Sequence, residues 1–102
     1  MSNRFAKSHS TDLNQPAIID ALVRIGCQCH EIERPVDLLI EFRGLWILME
    51  VKNKKGKNKL TPEQERFFRK VKAPAFIVRD IEEATAAVQT AWRRTLKSAV
   101  EG

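Results

Sequence analysis

Three charged residues, Asp37, Glu50 and Lys52, have a spacing that can bring them together on one face of a β-hairpin. If Arg43 and Gly44 are the two central residues of its turn, Asp37 lies directly opposite Glu50. Lys52 then emerges on the same face, because side chains alternate between the faces of a strand. Directly opposed Cβ atoms are about 4.5–5.5 Å apart, so the two carboxylates repel each other unless a proton or a cation intervenes. A hard divalent ion such as Mg²⁺ is a suitable cation, since it binds through one or two carboxylates and keeps several waters.

This cluster predicts a site that hydrolyses phosphodiester bonds. A bound metal ion polarises a phosphoryl oxygen and lowers the pKa of bound water. The Lys52 side chain can orient an attacking water, deprotonate it as a neutral amine, or stabilise charge on the phosphate as an ammonium. The prediction depends on register, because a three-residue turn would shift the pairing by one position. The alternative is that Asp37 begins a strand near solvent while Glu50 and Lys52 form an ordinary surface pair. The apolar run before Glu50 and the basic loop after Lys52 favour a site.

The elements that must position this cluster follow from apolar periodicity. Apolar residues at helical spacing, ending before Gly26, predict an amphipathic helix over about 13–25. Residues 27–33 alternate loosely and predict an edge strand. Two apolar, β-prone runs over 36–42 and 45–52 flank a short turn and predict a hairpin. Because both runs are apolar on nearly both faces, we expect the hairpin to lie inside the sheet with cover on each side.

The second half of the chain predicts a helix, a strand and a closing helix. Thr61 and Gln64 form a capping-box signature with Pro62 at the first helical position, which predicts a helix to about Val71. A short strand follows over 75–79, and a closing helix runs from Asp80 to about residue 97. The order is α-β-β-β-α-β-α. It predicts an α/β fold with a mixed four-stranded sheet flanked by helices, in one domain over 10–102 after a flexible tail at 1–9.

Composition and charge restrict the class of protein. The chain has 102 residues, of which 43% are hydrophobic and 30% charged, with four Gly and four Pro, so collagen-like, low-complexity and wholly disordered classes are excluded. Eighteen Lys and Arg against thirteen Asp and Glu give a net charge of +5, which favours a polyanionic partner. Cys27 and Cys29 are too close for an easy disulfide. A structural zinc site needs four ligands at suitable spacing, and besides Cys27, Cys29 and His30 only His9 is available, so a buried apolar role is the expectation for the cysteines. With no long apolar run and no leader, we expect a cytoplasmic protein that does not enter the membrane.

The motif and the element order together resemble a known superfamily. Asp37, twelve intervening residues and then Glu50-Val51-Lys52, in an αβββαβ order, are similar to the PD-(D/E)xK nucleases. The small size and the run Leu60-Thr61-Pro62-Glu63-Gln64 resemble the stand-alone, often phage-encoded VRR-NUC group. The resemblance implies a restriction-endonuclease-like core with an extra C-terminal helix. It also implies that the protein is a homodimer and that it acts in a bacterial or phage-infected host cell. It also implies Mg²⁺- or Mn²⁺-dependent endonuclease activity on DNA, with branched or Holliday-junction DNA as the expected substrate.

The same resemblance assigns roles to residues. It implies catalytic roles for Asp37, Glu50, Lys52 and Gln64. It implies a metal site formed by Asp37, Glu50, Val51 and Gln15, where Gln15 occupies the position at which many relatives carry a glutamate. For Gln64, a role in the capping box explains its presence equally well.

A lysine-rich loop after the motif predicts contact with a phosphate backbone. Lysines in such a loop give sequence-independent, salt-sensitive affinity for nucleic acid. A turn kept solvated by its charge is the alternative. At the end of the later strand, Arg79 is a further candidate for phosphate contact. The predicted DNA-binding set is Lys54, Lys55, Lys57, Lys59 and Arg79.

Two other functions fit the sequence. Gln15 brings no negative charge to the predicted metal site, which motivates a catalytically decayed nucleic-acid-binding or scaffold protein on the same fold. Val36 also separates Pro35 from Asp37, whereas the family usually has these two adjacent. A protein-interaction module whose basic charge is incidental is the third alternative.

Overall fold

Seven elements make up the part of the chain that the structure, a computed structural model, describes: residues 14–53 and 59–101. They confirm the predicted order and the α/β class with a C-terminal helix. The predicted tail at 1–9, the start of the first helix at residue 13, and Lys54, Lys55 and Lys57 lie outside the described residues. The elements are α1 (Gln15–Arg24), β1 (Gln28–Glu31), β2 (Leu38–Phe42), β3 (Leu45–Val51), α2 (Pro62–Lys70), β4 (Ala75–Val78) and α3 (Ile81–Glu101).

The four strands form one mixed sheet in the order β1-β2-β3-β4. Strand β2 pairs antiparallel with both β1 and β3, while β3 and β4 are parallel. A parallel pair requires a crossover, and α2 lies within the segment that joins β3 to β4. The predicted hairpin therefore lies in the middle of the sheet, as expected.

A two-residue turn fixes the register of this hairpin. Arg43 and Gly44 both have positive φ angles, of 53° and 85°, as a tight turn between antiparallel strands requires. Leu38 pairs with Met49, which is the register expected for a two-residue turn. The shifted pairing that a three-residue turn would produce is not present.

The inner face of the sheet carries the core. Alternate residues of β2 and β3 are buried against apolar residues of α1 and α3, as period-two side-chain alternation predicts. The central members of this core are Ile18, Leu22, Leu38, Ile40, Ile47, Met49 and Val88, all with no exposed surface.

The outer face of the hairpin is only partly covered, so the expectation of full cover on both faces is wrong. Leu39 and Leu48 are half-buried there, and Trp46 is 50% exposed. The physical reason is that α2, the helix that connects β3 to β4, has no buried residue and covers little of the sheet. The outer face is also the one that carries Glu50, because Glu50 alternates with the inward-facing Met49 and Val51.

The closing helix is longer than its apolar stripe predicts. It continues to Glu101 rather than ending near residue 97. Its last residues are exposed, and they contain neither Gly nor Pro to terminate the helix. Within 14–53 and 59–101, none of the helices has the length and hydropathy needed to cross a bilayer.

We predict that Leu22→Ala lowers the free energy of unfolding by about 2–5 kcal/mol, because it opens a cavity in the inner-face core. Val100→Ala is the matched control, since Val100 lies in a helix but is 86% exposed. We expect the control to stay within about 0.5 kcal/mol of the unsubstituted protein. Urea unfolding followed by circular dichroism measures both, and equal shifts would contradict the assignment of the core.

Candidate active site

The carboxylates of Asp37 and Glu50 lie at the end of the hairpin that is farthest from its turn. The Val51 amide donates a hydrogen bond to Asp37 Oδ2 at 2.8 Å. In the opposite direction, the Asp37 amide donates to Glu50 Oε1 at 3.2 Å. Asp37 immediately precedes β2, so these bonds lie directly beyond the last strand pair, Leu38 and Met49. Each carboxylate is thus held by a main-chain amide of the other strand segment, and the structure brings the two predicted acids together.

The ammonium group of Lys52 completes the cluster. Lys52 Nζ lies 3.2 Å from Glu50 Oε2. Glu50 is only 5% exposed, and a buried carboxylate is costly unless it is paired and hydrogen-bonded. Lys52 Nζ also donates to the main-chain oxygen of Lys59 at 3.3 Å, which ties together the two ends of the basic loop. The lysine therefore connects the carboxylate pair to the loop predicted to contact DNA.

The start of α1 lies at the same edge of the sheet. The Lys52 amide donates to the Val78 carbonyl at 2.9 Å, so the ends of β3 and β4 are adjacent. One residue further, the Arg79 carbonyl accepts a hydrogen bond from Asn14 Nδ2. Gln15 follows directly, is 5% exposed, and has a buried Oε1 with no hydrogen-bond partner among the described residues.

Asn14 links the start of α1 to the end of β4 through a contact that the sequence alone did not identify. Its type and its place before α1 are typical of a helix cap, yet its side chain makes no capping hydrogen bond. Its Nδ2 instead donates a hydrogen bond to the main-chain oxygen of Arg79, which lies 65 positions later in the sequence. No local pattern signals such a contact, because it depends on how α1 packs beside β4.

The oxygen donors of this cluster fit a hard divalent cation. Asp37 and Glu50 supply two carboxylates, and Val51 can supply only its main-chain oxygen. Gln15 carries a buried neutral oxygen that lacks a partner among the described residues, and none of the contacts described joins it to either carboxylate. An unsatisfied buried acceptor costs about 1–3 kcal/mol, a cost that a bound cation would remove. Mg²⁺ and Mn²⁺ accept such oxygen donors, with waters completing the shell. In 14–53 and 59–101, no three His, Cys, Asp or Glu residues form a metal-binding group, so the set rests on two carboxylates plus neutral oxygens.

The remaining predicted residues lie around this cluster or outside the described chain. Gln64 completes the predicted capping box: its amide donates to Thr61 Oγ1 at 3.1 Å, and its Oε1 accepts from the Thr61 amide at 3.2 Å. None of the hydrogen bonds described joins Gln64 to Asp37 or Glu50. Lys59 is exposed at the end of the basic loop, and Arg79 is half-buried beside Asn14.

The two cysteines belong to the core rather than to a metal site. Cys27 is buried, and Cys29 packs against the same core. Burial raises the pKa of the Cys27 thiol to about 11 and also raises the pKa of Cys29. Both thiols are therefore protonated at neutral pH and behave as small apolar side chains.

Comparisons with known proteins add no assignment to this geometry. No family model matches the chain, and no match is found among curated proteins or solved structures. The nuclease resemblance therefore stays a prediction based on the motif and the element order.

We predict that Gln15→Glu strengthens binding of Mn²⁺, because it adds a negative charge to the oxygen donors around Asp37 and Glu50. We expect affinity to rise at least tenfold in isothermal titration calorimetry, and the melting temperature to rise more with Mn²⁺ than it does for the unsubstituted protein. Gln28→Glu is the matched control, since Gln28 is exposed on β1. An equal gain in both variants would show that Gln15 is not near the cation.

Proposed function

We propose that this protein is a divalent-metal-dependent endonuclease that hydrolyses phosphodiester bonds in DNA, of the PD-(D/E)xK superfamily and its stand-alone VRR-NUC group. The observation that carries the proposal is the crossed pair of hydrogen bonds that holds Asp37 and Glu50 together, with Lys52 Nζ 3.2 Å from Glu50. Two carboxylates held by amides of each other's strand segments offer the oxygen ligands that a hard divalent cation prefers.

Each side chain of the cluster has a role in this proposal. Asp37 and Glu50 hold Mg²⁺ or Mn²⁺, with Gln15 and the main-chain oxygen of Val51 as further donors. When bound, the ion supplies Lewis-acid polarisation of the scissile phosphate. Lys52 orients the attacking water and stabilises the negative charge that grows on the phosphate as one P–O bond forms and another breaks. Gln64 caps α2 in the structure, and its proposed catalytic role rests on the family resemblance alone.

The basic loop supplies the contact with DNA. Lys52 Nζ holds the Lys59 carbonyl, so the loop that carries Lys54, Lys55 and Lys57 starts and ends beside the carboxylates. Lysines there bind the phosphate backbone without reading sequence. Arg79 adds a cation at the neighbouring end of β4.

A homodimer is part of the proposal. The described residues contain one carboxylate pair, and a single site cuts one strand at a time. Paired incisions in a branched junction therefore need either a dimer or two visits by one site, and the family resemblance favours the dimer. We expect light scattering to give about twice the mass of one chain.

The catalytically decayed DNA-binding protein is the second candidate function. It is favoured by the neutral side chain of Gln15 in a cluster that otherwise holds only two acids. It predicts DNA affinity that falls steeply with salt, without cleavage and without binding of Mg²⁺ or Mn²⁺.

Cleavage of labelled branched and linear DNA in Mg²⁺, Mn²⁺ or EDTA tests the enzyme directly. We expect cleavage in either metal and none in EDTA. Asp37→Asn removes a charge while preserving shape, and we expect a loss of at least about 100-fold. Lys52→Ala removes the ammonium, with an expected loss of about 10²–10⁴-fold.

Matched controls separate these losses from a general loss of charge. The controls are Asp20→Asn and Lys97→Ala. Asp20 lies on the exposed face of α1, and Lys97 lies near the end of α3. We expect both to cleave within twofold of the unsubstituted protein. Activity that persists in both Asp37→Asn and Lys52→Ala would end the assignment of this site.

A further inference from the structure

A cleft separates α2 from the loop that precedes Asp37. Its volume is about 810 Å³, within the roughly 300–1,000 Å³ of small-ligand pockets. It exists because α2 contributes no buried residue and stands away from the body of the sheet. The residues of its wall that matter below are Arg34, Pro35, Gln64, Arg66, Phe67 and Lys70.

Both walls of the cleft are joined to the candidate active site. On one side, Pro35 lies two positions before Asp37, and the Asp37 carbonyl accepts a hydrogen bond from the Ile32 amide at 2.9 Å, which closes this loop. On the other side, Lys52 Nζ binds the Lys59 carbonyl, just before α2 begins. Both walls of the cleft are therefore joined through the main chain to segments of the candidate site, although Asp37, Glu50 and Lys52 do not line it.

The cleft has the chemistry of a nucleotide site. Three cationic side chains line the cleft, those of Arg34, Arg66 and Lys70. The carboxylates of Glu33 and Glu63 also line it, so the lining has an excess of one positive charge. Cations of this kind bind phosphate, and Arg does so through two parallel hydrogen bonds.

An aromatic ring and an amide accompany these charges. Phe67 is half-buried, and its ring meets that of Phe68 at 5.2 Å and 78°, which restrains it. Stacking of a base on such a ring contributes about 1–3 kcal/mol. Gln64 uses its Oε1 for the cap, and an amide also carries two N–H donors that can recognise the edge of a base.

We propose that this cleft binds one unstacked nucleotide next to the scissile phosphate, an inference that rests on the proposed nuclease function. A base inside an intact duplex reaches such a cleft only after unstacking, which costs a few kcal/mol. A nucleotide that is already unpaired, at a branch point or strand end, avoids this cost. The cleft thus selects DNA that carries an unpaired nucleotide beside the cut.

Binding in EDTA tests the cleft separately from cleavage. The probe is a fluorescein-labelled ten-nucleotide single strand, compared by anisotropy with the same sequence as a duplex. We expect Phe67→Ala to weaken single-strand binding at least fivefold and duplex binding less than twofold, and Phe67→Tyr to retain affinity because it keeps the ring. Equal losses for both probes, or no loss, would overturn the proposal.

A matched pair of arginines on α2 provides the charge control. Arg66 lines the cleft, whereas Arg69 is exposed on the same helix and does not line it. We expect Arg66→Ala to weaken single-strand binding at least fivefold and Arg69→Ala less than twofold. Equal losses would show nonspecific attraction to a basic helix and would overturn the cleft. Circular dichroism confirms that each variant is folded.

Two further outcomes separate this inference from its premise. In one outcome, Phe67→Ala and Arg66→Ala bind the single strand and cleave plain duplex as the unsubstituted protein does. That result would overturn the proposed nucleotide site in the cleft and leave the nuclease proposal intact. Ring-dependent binding without cleavage in any metal would support the cleft and overturn the nuclease proposal. Tighter binding of the matching oligoribonucleotide than of DNA would overturn DNA as the ligand.

Discussion

The structure depends on one constraint, the register between β2 and β3. The two-residue turn at Arg43 and Gly44 sets this register, and directly beyond its last pair, Leu38 and Met49, the two segments continue with Asp37 and Glu50. The crossed hydrogen bonds between these residues and the opposite main chain then hold two negative charges close together. The Lys52 ammonium, 3.2 Å from Glu50, offsets part of this charge, and we propose that a divalent ion offsets the rest.

The apolar core and the candidate site lie on different faces of the sheet. The inner face buries an apolar core against α1 and α3, and that core supports the hairpin. The outer face is covered poorly because α2 stands apart from it, and it carries Glu50 near one end. The poor packing of α2 is also what leaves a cleft between this helix and the loop that precedes Asp37. A helix packed tightly onto the sheet would have stabilised the fold and closed this space.

Local signals in the sequence predicted most of the hairpin and its site. Arg43-Gly44 between two apolar runs predicted the turn, and alternation then placed Asp37, Glu50 and Lys52 on one face. The cap at Thr61 was predicted for the same reason, since its hydrogen bonds span three residues.

Contacts between distant segments could not be predicted in this way. The bond from Asn14 to Arg79 depends on the packing of α1 beside β4, and apolar periodicity carries no information about it. The exposure of Trp46 was also missed, because the apolar run predicts a buried strand but does not show whether a helix covers it. The functional role of each residue is likewise a property of the bound substrate and ion, which the fold alone does not identify.

The central claim is that Asp37 and Glu50 share one divalent cation. Anomalous diffraction from crystals soaked in Mn²⁺ tests it most directly, because the signal locates the ion independently of activity. The account predicts a peak within about 2–2.5 Å of an oxygen of each carboxylate, the range of metal–oxygen bonds for hard divalent ions. Mn²⁺ bound elsewhere on the protein, with no peak between these two side chains, would contradict it.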